Sequence, residues 1–442
     1  MIKKKGGAMP NSSIQIWLQR QIALRTFPPN REDWYVKNGF GNSEMSLEER
    51  FACFVEAIRQ EDSPYHEQLS GIDFHRFEIE VTLANQKTCM TEVIGFQNNS
   101  NQSSSLLNEK VKAVGKGKHV IYFTGIGTQY QDCLIDIAKA VQITGAHYYA
   151  FEYPGMRKLG GEVLEVNDMV NTGIALANTL LEKGISIDDI LFQGDSFGAA
   201  VAKKVSDQFK LQSNVTVRCI LNNTFSTFQA AVEGNLGAFS TLRYTVRPLL
   251  RYTGWDIRPG DNYGLDTPYQ IHINHTGDLT LGAGHATLAE SVESNSQLEH
   301  FVDPCPEEYR IKRDIYKQWH WASLSEQGIR FLETKYGRNS DGQLDTHLAD
   351  LYLLKYDTGL GVYESFICKY LEDSNDYIAN HPQKLSLEEL PSPLESETVS
   401  LGQLIVSVLP SRPSITGFFG RPKPVKDEVD AENQAQKSIE LK

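Results

Sequence analysis

Residues Asp189 to Ala200, read DILFQGDSFGAA, constrain the fold more than any other stretch of the chain. The apolar run Ile190-Leu191-Phe192 leads into Gly194-Asp195-Ser196-Phe197-Gly198, and small residues follow. A buried strand, a turn too sharp for flanking side chains and a helix satisfy this order, with Ser196 at the tip of the turn. Glycine is needed at 194 and 198 because a Cβ at either would collide where strand and helix cross, and the serine position is itself strained. After the turn, Val201, Val205 and Phe209 recur every fourth residue, the stripe of a helix packed on a sheet. Ser196 is therefore a candidate nucleophile, against the alternative of a tight glycine turn that happens to hold a serine.

The surrounding alternation sets the fold class. Phe74 to Leu83 and Thr88 to Phe96 alternate apolar and polar residues about Ala84-Asn85-Gln86-Lys87, which reads as an antiparallel hairpin. After residue 118 the pattern changes to strand, helix, strand, helix. His119 to Thr124 is a strand, and Gln129 to Thr144 is a helix with Leu134, Ile137, Ala138 and Val141 inward, closed by Gly145. His147 to Glu152 is the next strand, Asp168 to Lys183 a helix ended by Gly184, and further strands are expected at Val215 to Leu221 and Tyr269 to Asn274. The expected class is α/β, a mostly parallel sheet covered on both faces with an antiparallel N-terminal hairpin, the order of an α/β-hydrolase.

Four regions are expected: a helical N-terminal extension over 1–70, a hydrolase domain over 71–390, a cap inserted at 223–268, and a flexible tail over 391–442, rich in Pro, Ser and charge. In the extension, Ile14, Trp17, Leu18 and Ile22 share a helical face expected to pack on the body of the protein, with lying on a membrane as the alternative. Ser46-Leu47-Glu48-Glu49 is a capping box. The net charge of -13 argues against nucleic-acid binding. The six scattered cysteines, with no C-x-x-C pair, indicate neither a metal site nor a disulfide frame. With no apolar region behind the basic N-terminus and no spanning apolar run, neither a signal peptide nor a transmembrane helix is expected, and the protein is read as soluble.

Acyl transfer at a serine needs a base, an acid to orient it and donors for the oxyanion. In this fold they follow in the order Ser, Asp or Glu, His. His275-Thr276-Gly277-Asp278 leaves the strand after the cap, so Asp278 is the candidate acid, against a turn aspartate beside Gly277. Of the later histidines, 285 lies close behind in what reads as a helix and 300 lies in an apolar run. His347 follows a polar loop and precedes the last helix, and is the candidate base. His320, between Trp319 and Trp321, is the alternative. The amide of Phe197, after the nucleophile, is one oxyanion donor. Thr124-Gly125-Ile126-Gly127-Thr128 offers Ile126 as the second, with Gly127 as its neighbour. A phosphate fingerprint there lacks its third glycine. No organic cofactor or metal is required. Arginines interleave with aromatic residues in the cap, which would suit a lipid headgroup above an acyl chain, or equally a packed amphipathic helix with arginines at its rim.

With these residues in place, the chain resembles the SidB-like (Sdb) effectors of Legionella, through YFTGIGTQY, FEYPG, FQGDSFG, RPLLRYTGWDI, HTGDLTL and the DTH-x-x-x-L segment. The resemblance implies an α/β-hydrolase of lipase or esterase character with Ser196, Asp278 and His347 as its triad. That character implies an acyl-ester substrate such as a lipid, and the arginine and aromatic mixture of the cap is where peripheral membrane contact is expected. Delivery from the bacterial cytoplasm into a host cell by a type IV secretion system, through the C-terminal tail, is implied as well. A thioesterase or protein deacylase would use the same triad, and a binding scaffold would keep the fold without the chemistry.

Overall fold

The computed structural model describes residues 13–26, 33–63, 65–69, 71–98, 114–156, 161–235, 240–261, 270–275, 288, 310–313 and 362–398. Helices α1 (Ser13–Thr26), α2 (Trp34–Lys37), α3 (Leu47–Ala57) and α4 (His66–Leu69) precede the hairpin β1 (Ile72–Thr82) and β2 (Thr88–Asn98). The alternating part follows as β3 (His119–Phe123), α5 (Leu134–Thr144), β4 (His147–Phe151), α6 (Val166–Glu182), β5 (Ile190–Asp195), α7 (Phe197–Ser213) and β6 (Arg218–Asn222). Then come α8 (Phe228–Asn235), α9 (Ser240–Thr253), β7 (Gln270–His275), β8 (Arg310–Arg313) and α10 (Val362–Asn380). No described helix is long and apolar enough to cross a membrane.

The eight strands form one sheet in the order β1-β2-β4-β3-β5-β6-β7-β8. β2 runs against both of its neighbours and every other pair is parallel. Alternation along each strand divides the interior into two cores. Ile121, Phe123 and Phe192 face α6 and α7, whereas Val120, Tyr122 and Leu191 face α5, α10 and the N-terminal helices. β5 has Ile190, Leu191 and Phe192 fully buried, which is why it reads as an unbroken apolar run. Val201, Val205 and Phe209 of α7 are buried as their spacing requires, and Gly145, at φ 72, closes α5. The Ser46–Glu49 capping box forms as read, Ser46 N donating to Glu49 and Glu49 N to Ser46 Oγ.

Two expectations are corrected. The apolar face of α1 turns inward only in part: Ile22 packs against the core and Leu18 is half-buried, whereas Ile14 and Trp17 are 67% and 58% exposed and Gln15 and Gln19 are buried instead. Gln15 Nε2 donates to Tyr252 O at 2.5 Å and Gln19 Nε2 to Thr253 O at 3.1 Å. Carbonyls in the last turn of a helix have no partner within it, so the end of α9 recruits side-chain amides, and that requirement decides which face of α1 turns inward.

The second correction concerns the tail. Residues 391–398 are not free but lie as an extended strap along α6. Asn178 Nδ2 donates to Pro391 O, Asn171 exchanges both bonds with the Leu394 backbone at 2.7 and 2.9 Å, and Asn167 Nδ2 donates to Glu395 O. Gln383, just upstream, bonds Thr216 on both its amide and carbonyl. Beneath the end of the strap Glu165 is pushed up to about 7, burial being the main cause.

At the far end of the sheet from Ser196, His119 and His147 are register partners on β3 and β4, with rings stacked at 4.9 Å. Burial lowers both, and holds His119 at about 4 with help from His147 and Lys118 against Asp189. A histidine with a depressed folded pKa contributes stability that is complete above the ordinary value near 6.5. That stability is lost as pH falls toward 4. Glu165, raised, works in the opposite sense, so the comparison must be with a variant. Urea midpoints of wild type and His119→Gln, measured from pH 7.5 to 4.5, should show the steeper acid loss in wild type; parallel profiles would refute the assignment.

Candidate active site

Ser196 stands at the tip of the β5–α7 turn with φ 54 and ψ -119, a conformation L-residues avoid and a turn of this sharpness demands. Its amide donates to Asn222 O at 2.8 Å, and its side chain makes no capping bond to α7. The flanking glycines are explained by contact. A Cβ on Gly194 would sit 2.6 Å from Ala199 N, and one on Gly198 would sit 2.5 Å from Thr124 O and nearer still to Phe123 O. The elbow is thus pressed directly against the end of β3, where the loop through Ile126 begins. That loop turns back at once: Thr128 N donates to Gly125 O and Gly127 takes φ 66, the positive value that the third position of a type II turn needs.

Phe197 does more than follow the nucleophile. Its ring is fully buried against Phe225, Phe228 and Trp255, with centroids 5.7, 5.1 and 6.2 Å away. Trp255 Nε1 in turn donates to Leu164 O. This aromatic cluster seats the base of the inserted segment on the elbow. Phe225, Leu250, Tyr252 and Trp255 are all buried, so these cap residues act in packing, while Arg247, Leu249 and Arg251 are exposed. Periodicity pointed to the apolar residues but not to Phe197 as their anchor.

Asp195, half-buried inside the elbow, is engaged by two other strands. Tyr122 Oη donates to its Oδ2, and Asn222 Nδ2 donates to Oδ1 at 2.7 Å. One carboxylate therefore pins the ends of β3, β5 and β6 beside Ser196. Bonds to an ionised acceptor are the stronger kind, so Tyr122→Phe should lower unfolding free energy by about 1–3 kcal/mol. Urea unfolding checks this, and an unchanged midpoint would contradict it.

Asp278, His347 and His320 lie outside the described residues. β7 ends at His275 and runs parallel to β5 and β6, so its C-terminal end lies at the Ser196 end of the sheet. Among the described residues no group of three His, Cys, Asp or Glu side chains is placed to hold a metal.

An eight-stranded sheet with only β2 reversed and a serine held at positive φ between β5 and the following helix defines an α/β-hydrolase fold. Residues 342–411 match the family model described as SdbC, C-terminal domain, in keeping with the Sdb resemblance of the upstream motifs. Similar solved structures include an α/β-hydrolase from Vibrio vulnificus, 11% identical with a TM-score of 0.42, the match covering 80% of this chain and 98% of that one. An esterase of Pyrobaculum calidifontis is 12% identical with a TM-score of 0.38, over 83% and 99% of the two chains. An esterase of Pyrococcus furiosus is 14% identical with a TM-score of 0.37, over 62% and 92%. No curated protein matches the chain.

Proposed function

We propose that the chain is a serine hydrolase that cleaves a carboxylic ester, with a lipid ester as its substrate class, through an acyl-enzyme. The observation that carries this reading is the strained Ser196 backbone, held by two glycines that tolerate no Cβ, because strain of this kind persists where function requires it. Ser196 Oγ attacks the ester carbonyl as its proton passes to His347, with His320 the alternative base. The amides of Phe197 and Ile126 hold the oxyanion, and Asp278 orients the imidazolium. The alcohol leaves with the proton from the imidazolium. Water, deprotonated by the same histidine, then releases the acid and restores Ser196. The exposed arginines and Leu249 of α9 are the part of the cap that would meet a membrane surface. The Sdb match agrees with a role as a secreted bacterial effector.

The test is intact mass after treatment with a fluorophosphonate, which loses fluoride to a serine already served by a base and an oxyanion hole. One adduct on wild type and none on Ser196→Ala is the expected result. A folded wild type that takes no adduct would favour a binding scaffold.

A further inference from the structure

We propose that residues 401–409 of this chain dock on the outer face of α1 and cover its exposed apolar stripe. Ile14, Trp17 and Leu24 are 67%, 58% and 46% exposed and lie within one stripe of the helix, about 15 Å long at 1.5 Å per residue. So large an apolar stripe on a protein surface calls for a cover.

The strap shows where the cover comes from. Its contacts move along α6 from Asn178 to Asn171 to Asn167, and Glu397 N then donates to Glu165. That end of α6 is where α1 sits. Glu162 receives both Arg20 nitrogens at 2.8 and 2.9 Å, and a Cβ on Gly254 would touch Glu165, one residue from the Thr253 carbonyl that takes Gln19. At Glu397 the strap therefore reaches Glu165, which lies against Gly254 beside the end of α9 on which α1 packs.

The sequence that follows suits the stripe. Leu401, Leu404, Ile405, Val408 and Leu409 fall at i, i+3, i+4, i+7 and i+8, the spacing of a one-faced helix. No charged residue occurs from Val399 to Pro410, and the proline ends the pattern. As a helix this segment would span about 13 Å, close to the length of the stripe. The matched family pattern also continues past the strap to residue 411, so it includes this stretch and stops just after it. The apolar pattern, the shared sequence and the direction of the strap all lead to the same face. The docked segment would hold α1 against the end of α9, and so brace the base of the cap.

Hydrogen exchange on the full chain tests the proposal, with the urea midpoint as control. In wild type, amides of 401–409 should exchange at least roughly tenfold more slowly than in an unstructured peptide. Leu404→Asp/Ile405→Asp should speed exchange in α1 by a similar factor, with β5 and the strap unchanged. Trp17→Asp should reciprocally expose 401–409. Unprotected 401–409 in wild type, or α1 exchange indifferent to the double variant, would overturn it. A concentration-dependent doubling of mass that Trp17→Asp abolishes would assign the stripe to a second copy instead. Trp17-dependent pelleting with phosphatidylcholine–phosphatidylserine vesicles, with 401–409 unprotected, would assign it to lipid.

Discussion

His347→Ala should lower turnover of a short-chain ester by about 10⁴-fold or more, mostly in kcat, while His320→Ala should stay within roughly tenfold of wild type. The asymmetry follows from what a base must do. It must accept the Ser196 proton, return it to the leaving alcohol and hold an orienting acid on its other nitrogen, so its loss removes the function rather than weakening it. β7 ends at the nucleophile's end of the sheet, and Asp278 follows it in the sequence. The base is then owed from further along, before the last helix. α10 starts at Val362 and is fixed by the buried side chains of Ile367, Tyr370 and Leu371, and His347 precedes it in the sequence. In the sequence His320 lies between Trp319 and Trp321, the pattern expected of an aromatic-packed core histidine. Activity that survives His347→Ala and disappears in His320→Ala reverses the two roles without touching that of Ser196, and Michaelis–Menten kinetics on both variants decides.

What was legible in the sequence was what local chemistry dictates. Gly194 and Gly198 announce the elbow because their spacing about Ser196 is a local pattern: Gly194 avoids atoms of the turn itself, and Gly198 those at the end of β3, the neighbouring strand of the sheet. The hairpin, the strand–helix alternation and the inward stripes of α5 and α7 follow from periodicity, which each element carries within itself. The failures share a cause of the opposite kind. α1 turns glutamines inward because their partners are free carbonyls at the end of α9, more than 230 residues away. Nothing within α1 announces them. Asp195 bonds to groups on two other strands, brought beside it only by the sheet order. The strap has little apolar content to detect, since its backbone is held by asparagine side chains of α6 while half of its own side chains stay exposed. Composition reports whether side chains can form a core and is silent on a segment bound through its main chain.

Gly198→Ala should damage the site by about 10²-fold, although it changes no reacting atom. The added methyl would lie 2.5 Å from Thr124 O and closer to Phe123 O, so either α7 or the end of β3 must give way. β3 is the less able to move. It lies between β4 and β5, Phe123 pairs with Gly194, and its ring is wedged between Phe151 and Phe192 at 5.3 and 5.8 Å. On the α6 side, a Cβ on Gly173 would already meet that ring at 2.6 Å, so there is no slack there either. The strain therefore falls on α7, which must lift from the sheet and loosen the contacts of Val201 and Val205, now fully buried. Overpacking of this kind costs about 3 kcal/mol, readable as a lower urea midpoint. The same displacement separates Ser196 and the Phe197 amide from the loop that begins at Thr124. A misplacement of about 1 Å costs on the order of 10²-fold, so the rate of fluorophosphonate labelling should fall by that factor even in the fraction that remains folded. Gly71→Ala is the control, since its nearest neighbour would be Gln142 Nε2 at an ordinary 3.7 Å, and it should label as wild type does. A Gly198→Ala protein that labels at the wild-type rate would mean that the elbow does not set the distance to the oxyanion loop, and the donor role proposed for Ile126 would fall with it.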